Sequence, residues 1–169
     1  PVEKGWIYLM EQELKSRSLD ISIKNGSISG ETTSGGLMRF KQQLKVSSPD
    51  IVLLELGAND GMRGTDLKTT RANLTKMIDM SQQQGAQVIL AGIHLPPNFG
   101  RTYTKRFDQI FIDLAKKDKV YFIPFILENV ATIPELTQRD GLHPNQKAQP
   151  IIMQNVLPYI LPLIPGSAP

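Results

Sequence analysis

IVLLELGAND, residues 51–60, decides the fold: an almost wholly apolar run leads directly into a polar turn. A strand buried on both faces of a sheet has such a run, because neither face turns toward water. Residues 87–93 (QVILAGI) and 120–125 (VYFIPF) repeat the pattern, and residues 20–24 (DISIK) form a shorter β-branched run. The sequence therefore predicts four strands, three of them deeply buried.

Helical segments lie between the predicted strands. We expect helices at residues 5–17, 35–46, 66–84 and 103–117, with a last helix that begins between 145 and 150. Pro158 and Pro162 are expected to kink or end that last helix. Strands that alternate with helices predict a parallel sheet covered on both faces, which is a three-layer α/β/α fold of the flavodoxin-like type. The length suits a single domain, residues 1–169.

The strand count leaves one position of that sheet empty. In the flavodoxin-like order 2-1-3-4-5 the first strand is central, yet this sequence opens with a predicted helix. Residues 20–24 would then be strand 2 without its neighbour, and unpaired backbone groups in a sheet are costly. We therefore expect a strand and a turn of roughly 15 residues to precede Pro1.

Composition excludes several classes of function. The net charge is only +3 and the basic residues are scattered, which is not the pattern of a nucleic-acid-binding face. The chain has no cysteine, so it has neither a thiolate nucleophile nor a disulfide framework. No apolar run approaches the roughly 20 residues of a membrane-spanning helix, so we expect no stable membrane insertion.

Polar residues that suit catalysis follow the predicted strands, where the sites of open α/β sheets gather. Asp140 can accept a hydrogen bond from one ring nitrogen of His143 and leave the other free to take a proton. The side-chain amide of Asn59 and the backbone N–H of Gly30 can each donate to an oxyanion. The same stretches also fit simple turns, with Asn145 capping the last helix.

A metal site is the alternative for the two histidines. His94 and His143 could form a three-ligand set with Asp140. The sequence has no His-x-x-x-His pair and no second carboxylate cluster near His94, which argues against that set. His94 otherwise lines the mouth of a site or simply ends a strand.

Three blocks together resemble the SGNH (GDSL) hydrolases, and more closely the bacterial arylesterases and multifunctional acyl-CoA thioesterase/lysophospholipases. The blocks are SISGETTSGGL (27–37), ELGANDGMRG (55–64) and DGLHPNQKAQP (140–150). The resemblance implies that Gly30 and Asn59 form the oxyanion hole, that Asp140 and His143 are the acid and base, and that no cofactor or metal is needed. It implies hydrolysis of acyl esters and thioesters, and export to the periplasm or medium.

The nucleophile is where the sequence departs from this family. The family serine sits in a Gly-Asp-Ser block, which is absent here, and we expect it in the segment preceding Pro1. Natural loss of the serine and its replacement by Ser27 or Ser29 are the alternatives; those two serines are expected to be engaged in turn hydrogen bonds. A carbohydrate-ester deacetylase on the same fold and a non-catalytic binding domain are the alternative functions.

The substrate is expected to be a small acyl ester or thioester and the protein a monomer. Met62, Leu95 and Phe99 are candidates for contact with the acyl chain, or else ordinary loop anchors. The block HLPPNFGRTY (94–103) resembles the substrate-side loop of the family. Residues 61–64 have a glycine at each end, so we expect this segment to move when an acyl chain binds.

Overall fold

The sheet consists of three parallel strands. In the structure, a computed structural model that describes residues 5–167, the strands are β1 (Ile51–Leu54), β2 (Gln87–Ala91) and β3 (Val120–Ile123), in the order β1-β2-β3. Leu54 of β1 pairs with Leu90 of β2, which sets the register at the end where loops follow. The three strongly apolar segments are confirmed as strands, and each strand stops two residues before the predicted end. The expected deep burial holds for β2, whereas β1 is buried only at alternate residues and β3 only at Ile123.

The described part of the chain contains six α-helices. They are α1 (Trp6–Ser16), α2 (Thr33–Ser47), α3 (Ala58–Met62), α4 (Leu67–Gln83), α5 (Arg101–Leu114) and α6 (Gln149–Ile160). Five of them match predicted helices, while α3 forms where a turn was the simpler expectation. Short 3₁₀ turns at Pro97–Phe99, Pro134–Leu136, Gln146–Ala148 and Leu161–Leu163 connect the remaining segments.

The described residues divide into two compact units. The first unit lies within Pro1–Asn25 and Ile126–Pro169, and the second unit is Gly26–Phe125. Asp140 and His143 belong to the first unit, whereas Gly30 and Asn59 belong to the second. The expectation of a single domain over residues 1–169 stays a prediction.

The core of the second unit lies between the sheet and helices α4 and α5. Its fully buried side chains are Leu74, Met77 and Ile78 of α4, Val88 and Leu90 of β2, and Phe107 and Phe111 of α5. Burying each such side chain contributes roughly 1.5–3 kcal/mol. This packing fixes the carboxyl ends of β1 and β2, which lead to Asn59 and to Leu95, respectively.

The core of the first unit is formed by α1 packed on α6. Met10 and Leu14 are buried on α1, and Ile152 and Val156 are buried on α6. Pro158 does not end α6, which continues to Ile160 before a 3₁₀ turn that contains Pro162. The last helix therefore ends slightly later than the prolines alone predict.

The predicted strand at residues 20–24 is wrong: the structure shows neither strand nor helix there. The alternation typical of a strand is present, since Ile21 and Ile23 are half-buried while Asp20, Ser22 and Lys24 are exposed. A strand exists only when its backbone groups pair with a neighbour, and no described segment pairs with this one. Among the described residues β1 likewise pairs only with β2.

Candidate active site

Asp140 and His143 form a hydrogen-bonded pair on one turn of the first unit. Oδ2 of Asp140 lies 2.7 Å from Nδ1 of His143, and Oδ1 accepts the backbone N–H groups of Leu142 and His143 at 2.9 and 3.0 Å. An ionised carboxylate can only accept, so the ring proton sits on Nδ1. Nε2 is then a proton acceptor, and no described residue hydrogen-bonds to it.

The turn that carries this pair is fixed by backbone hydrogen bonds. Gly141 adopts a φ of +68°, a conformation that favours glycine, and its N–H donates to Gln138 O at 2.9 Å. The N–H of Gln138 in turn donates to His143 O at 2.7 Å. The turn formed by Asp-Gly-Leu-His therefore brings the imidazole of His143 next to the carboxylate of Asp140, three residues earlier.

Asn145 stabilises the base of the same turn. Its amide donates to the carbonyl oxygens of Glu135 and Thr137 at 2.8 and 3.0 Å, and its oxygen accepts the N–H of Lys147 at 2.8 Å. It thereby caps the 3₁₀ turn Gln146–Ala148 that leads into α6. The expected capping role of Asn145 and the Asp–His pair are thus both present in one loop.

The charge of Asp140 is held by its hydrogen bonds. The N–H of Leu142, then the N–H and the ring of His143, lower the pKa of Asp140 to about 2. The side chains of Asp140 and His143 are 44% and 65% exposed, so both are accessible to a reactant. Asp140 therefore stays ionised throughout the neutral range and can stabilise an imidazolium.

Gly30 lies in the loop that precedes α2 in the second unit. Its φ is +75°, and its carbonyl oxygen accepts Nη2 of Arg63 at 3.1 Å. Its own N–H donates to no described residue, and the residue is exposed. The backbone N–H of Gly30 is therefore available to a ligand, as the oxyanion prediction requires.

Asn59 lies in the first turn of α3, the helix that follows β1 in the chain. Its carbonyl oxygen accepts the N–H of Arg63 at 3.0 Å, while its side-chain amide bonds to no described residue. Gly57, with a φ of +122°, makes the sharp change of direction between β1 and α3. The half-buried amide of Asn59 is thus positioned by a short helix and has free donors.

The sequence analysis missed Asp60, which is completely buried beside Asn59. Its carboxylate accepts the backbone N–H of Thr33 at 2.8 Å and also the Thr33 hydroxyl. An acid directly after Asn59 was a visible signal. Its partner lies 27 positions earlier in the chain, however, and no local pattern links the two.

The candidate acyl-chain contacts differ in their surroundings. Leu95 is only 7% exposed and belongs to the core of the second unit, and its contact with an acyl chain stays a prediction. Met62 is half-buried against the same core. Phe99 is half-buried, with its ring 6.4 Å from that of Tyr103. Met62 and Phe99 remain predictions as substrate contacts.

The glycines of residues 61–64 have different surroundings. A Cβ on Gly61 would lie 2.6 Å from Cδ2 of Leu95 and 2.9 Å from Cε2 of Phe107, so close packing requires glycine there. Gly64 has open space around it and a φ of +68°. The expected movement of this segment stays a prediction.

His94 contacts an acid of its own unit. Its Nδ1 lies 3.1 Å from Oδ1 of Asp108, and its ring packs on Phe125 with centroids 4.5 Å apart. The described residues contain no group of three or more potential ligand side chains arranged to hold a metal ion. His94 belongs to the second unit, whereas Asp140 and His143 belong to the first.

Glu55 is a second titrating group near the end of β1. Solvent reaches this residue, yet protein atoms crowd its carboxyl group, and that burial raises its pKa to about 7. It therefore changes charge in the same pH range in which histidines ordinarily do.

The chain is similar to a known protein family and to several characterised proteins. Residues 2–150 match the model of the GDSL-like Lipase/Acylhydrolase family. The chain is 46% identical over 156 residues to an arylesterase of Vibrio mimicus, covering 92% of this chain and 78% of that protein. It is 38% identical over 160 residues to the thioesterase 1/protease 1/lysophospholipase L1 of Escherichia coli strain K12, covering 95% and 76%.

A solved structure resembles the fold closely. The crystal structure of TesA matches with a TM-score of 0.94 at 38% identity, covering 97% of this chain and 91% of that chain. The parallel sheet, its order and the covering helices thus confirm the predicted α/β fold class. Within residues 5–167, no helix has the length and apolar character to cross a membrane.

Proposed function

The chain belongs to the GDSL-like lipase/acylhydrolase family, and on that premise we propose that it hydrolyses acyl esters and thioesters through a Ser-His-Asp triad containing His143 and Asp140. The prediction of a serine ester hydrolase is confirmed at the level of the family and its relatives, which include an arylesterase and a thioesterase/lysophospholipase. The triad and its residues are the proposal.

The hydrogen-bonded pair of Asp140 and His143 carries the proposal. Nε2 of His143 takes the proton of the serine hydroxyl as the serine oxygen attacks the acyl carbonyl carbon. The proton then passes from His143 to the leaving oxygen or sulfur, and an acyl-enzyme remains. Water attacks this acyl group, gives a proton to His143, and the serine leaves with that proton restored. Asp140 stabilises the imidazolium in both steps.

Gly30 and Asn59 are proposed as donors to the oxyanion. The support is that both the N–H of Gly30 and the amide of Asn59 bond to no other described residue. The N–H of the nucleophilic serine would be a third donor. Removing one such donor typically costs about 2.7–4 kcal/mol of transition-state stabilisation.

The nucleophile is proposed to be a serine in a segment that precedes Pro1. The support is chemical and topological: the 169 residues contain no Gly-Asp-Ser block, and β1 pairs on one side only among the described residues. Ser27 and Ser29 are disfavoured because they lie in the block that supplies the Gly30 donor.

A fluorophosphonate probe tests the triad directly. The purified protein is labelled, digested and analysed by peptide mass spectrometry. The expected adduct lies on a serine outside the 169 residues, and His143→Ala should abolish labelling. An adduct on Ser27 or Ser29 would overturn the proposed location. No adduct, with an intact mass equal to the 169 residues alone, would favour a binding domain.

A substrate panel tests the proposed acyl specificity. We expect turnover of aryl esters and acyl-CoA thioesters that exceeds turnover of acetylated sugars. Preference for the acetylated sugars would indicate the deacetylase alternative on the same fold.

A periplasmic or secreted location and a monomeric state are further proposals. The proposed location is supported by the resemblance of the three sequence blocks to a group of bacterial enzymes that is often exported. Cell fractionation and light scattering of the purified protein test them; a cytoplasmic pool or a stable dimer would contradict them.

A further inference from the structure

Asp60 is a fully buried carboxylate that the proposed chemistry does not use. Its Oδ2 accepts the backbone N–H of Thr33 at 2.8 Å, and its Oδ1 accepts the hydroxyl of Thr33 and, at 3.4 Å, that of Thr70. Burying a carboxylate costs several kcal/mol unless hydrogen bonds compensate. These hydrogen bonds therefore compensate for the burial of the carboxyl group only while the donors stay in place.

A second layer fixes the direction of these hydrogen bonds. Nδ2 of Asn73 donates to Oγ1 of Thr33 at 3.1 Å and to the hydroxyl oxygen of Ser34 at 3.0 Å. An amide nitrogen can only donate, so the Thr33 oxygen accepts there, and its single proton is left for Asp60. Thr33 is completely buried and Asn73 is 8% exposed. The Thr33 hydroxyl is thus directed at Asp60 from a site that solvent does not reach.

The network joins the two segments that carry the oxyanion donors. Thr33 begins α2 and follows Gly30 by three residues, and Asp60 follows Asn59 directly on α3. Arg63 directly follows α3, and its guanidinium donates to Gly30 O at 3.1 Å. This exposed hydrogen bond connects the same two segments at the surface. All of these residues belong to the second unit. The two donors are therefore held relative to each other by a buried link and an exposed one.

We propose that Asp60 is a positioning residue, which sets the spacing between the Gly30 N–H and the Asn59 amide so that both donate to one oxyanion. The inference rests on the proposed function and names the group that aligns its donors. Donors stabilise the transition state only when they are held about 2.7–3.1 Å from the developing charge, and small misplacements are costly.

Asp60→Asn is the central variant, because the amide cannot accept from both donors of Thr33 in the way that a carboxylate does. In the full-length enzyme we expect kcat for p-nitrophenyl butyrate to fall about 10- to 100-fold, while KM changes by no more than about twofold. This loss of kcat is smaller than the loss of about 10²- to 10³-fold that deletion of an oxyanion donor causes. Thr33→Val should lower kcat similarly, and Thr33→Ser, which keeps the hydroxyl, should restore it relative to Thr33→Val.

A double-mutant cycle separates positioning from stability. If Asp60 acts through Asn59, then Asp60→Asn should lower kcat much less in an Asn59→Ala background than in the wild type. Ser81→Ala is the matched control, since Ser81 is also completely buried and donates to Met77 O at 2.8 Å in the same unit. It should lower the melting temperature without lowering kcat.

The outcomes distinguish this inference from the proposed function. An equal loss from Asp60→Asn in both backgrounds, or a lower melting temperature with unchanged kcat, overturns the positioning role. If Asn59→Ala itself leaves kcat unchanged, the oxyanion role of Asn59 fails instead. Should Asp60→Asn not fold, the cycle of Thr33→Val and Thr33→Ser with Asn59→Ala decides the same question.

Discussion

Nδ1 of His143 lies 2.7 Å from Oδ2 of Asp140, and the backbone N–H of His143 donates to Oδ1 of the same carboxylate at 3.0 Å. One residue thus holds both oxygens of its partner across a single turn. The acid and base are therefore assembled by local sequence, with Gly141 supplying the left-handed residue between them. Because the pair depends on one turn, single substitutions in that turn can test it without changing the rest of the fold.

The loss of turnover in acid should reflect protonation of His143. Protonation of the imidazole removes the general base, so kcat/KM should decline in acid. Asp140 contributes nothing to this decline, because its pKa is lowered from the usual 3.8 to about 2. Its carboxylate therefore keeps its charge, and continues to stabilise the imidazolium, until the pH falls below 3.8 toward about 2. A profile from about pH 4 to 9 measures this.

Glu55 needs a control in that measurement because its pKa of about 7 lies in the same range. The acid limb should persist in Glu55→Gln if His143 causes it. A flat profile between about pH 5 and 8, or a limb that disappears in Glu55→Gln, would contradict the assignment to His143.

Asp140→Asn should lower kcat by about 10³- to 10⁴-fold while the turn stays folded. The amide can still accept the N–H groups of Leu142 and His143, but its nitrogen would present a donor to the ring and favour the wrong tautomer. Steady-state kinetics and circular dichroism measure the two effects. Glu135→Gln, an exposed carboxylate of the same loop, is the control and should keep full kcat. Similar losses in both variants would show that charge in general, not the pair, matters.

Asn59→Ala should lower kcat by about 10²- to 10³-fold with little change in KM, because an oxyanion donor acts in the transition state. Kinetics with an aryl ester measure both constants. Gln42→Ala removes an exposed amide from α2 of the same unit and should leave both constants unchanged. A rise in KM that accounts for the whole loss would remove Asn59 from the oxyanion role.

The sequence could predict those parts of the fold that depend on local pattern. Strands β1, β2 and β3 could be predicted because continuous apolar runs of about that length are typical of parallel sheets. The pair of Asp140 and His143 was visible because both partners lie on one turn. Each of these features needs only a short window of residues.

Features that depend on distant partners could not be predicted in this way. Residues 20–24 have the alternation of a strand, but pairing requires a neighbour that no local pattern supplies. The buried link between Thr33 and Asp60 joins positions 27 apart, and α3 forms although Asn-Asp-Gly is typical of a turn. The sequence likewise predicts that Gly61 is flexible, whereas in the structure the side chains of Leu95 and Phe107 pack closely against it.

Gly61→Ala should destabilise the fold by about 1–3 kcal/mol, because its Cβ would overlap the buried side chains of Leu95 and Phe107. Urea unfolding measures this loss. Leu95→Ala opens the space that the new methyl group needs, so the double variant should lose less stability than the sum of the two single variants. Gly85→Ala is the control for backbone strain, since Gly85 has a φ of +87° and open space around it; its effect should not depend on Leu95. Additive losses for Gly61→Ala and Leu95→Ala would mean that the contact is not tight, and the movement of residues 61–64 would then become the better account of these glycines.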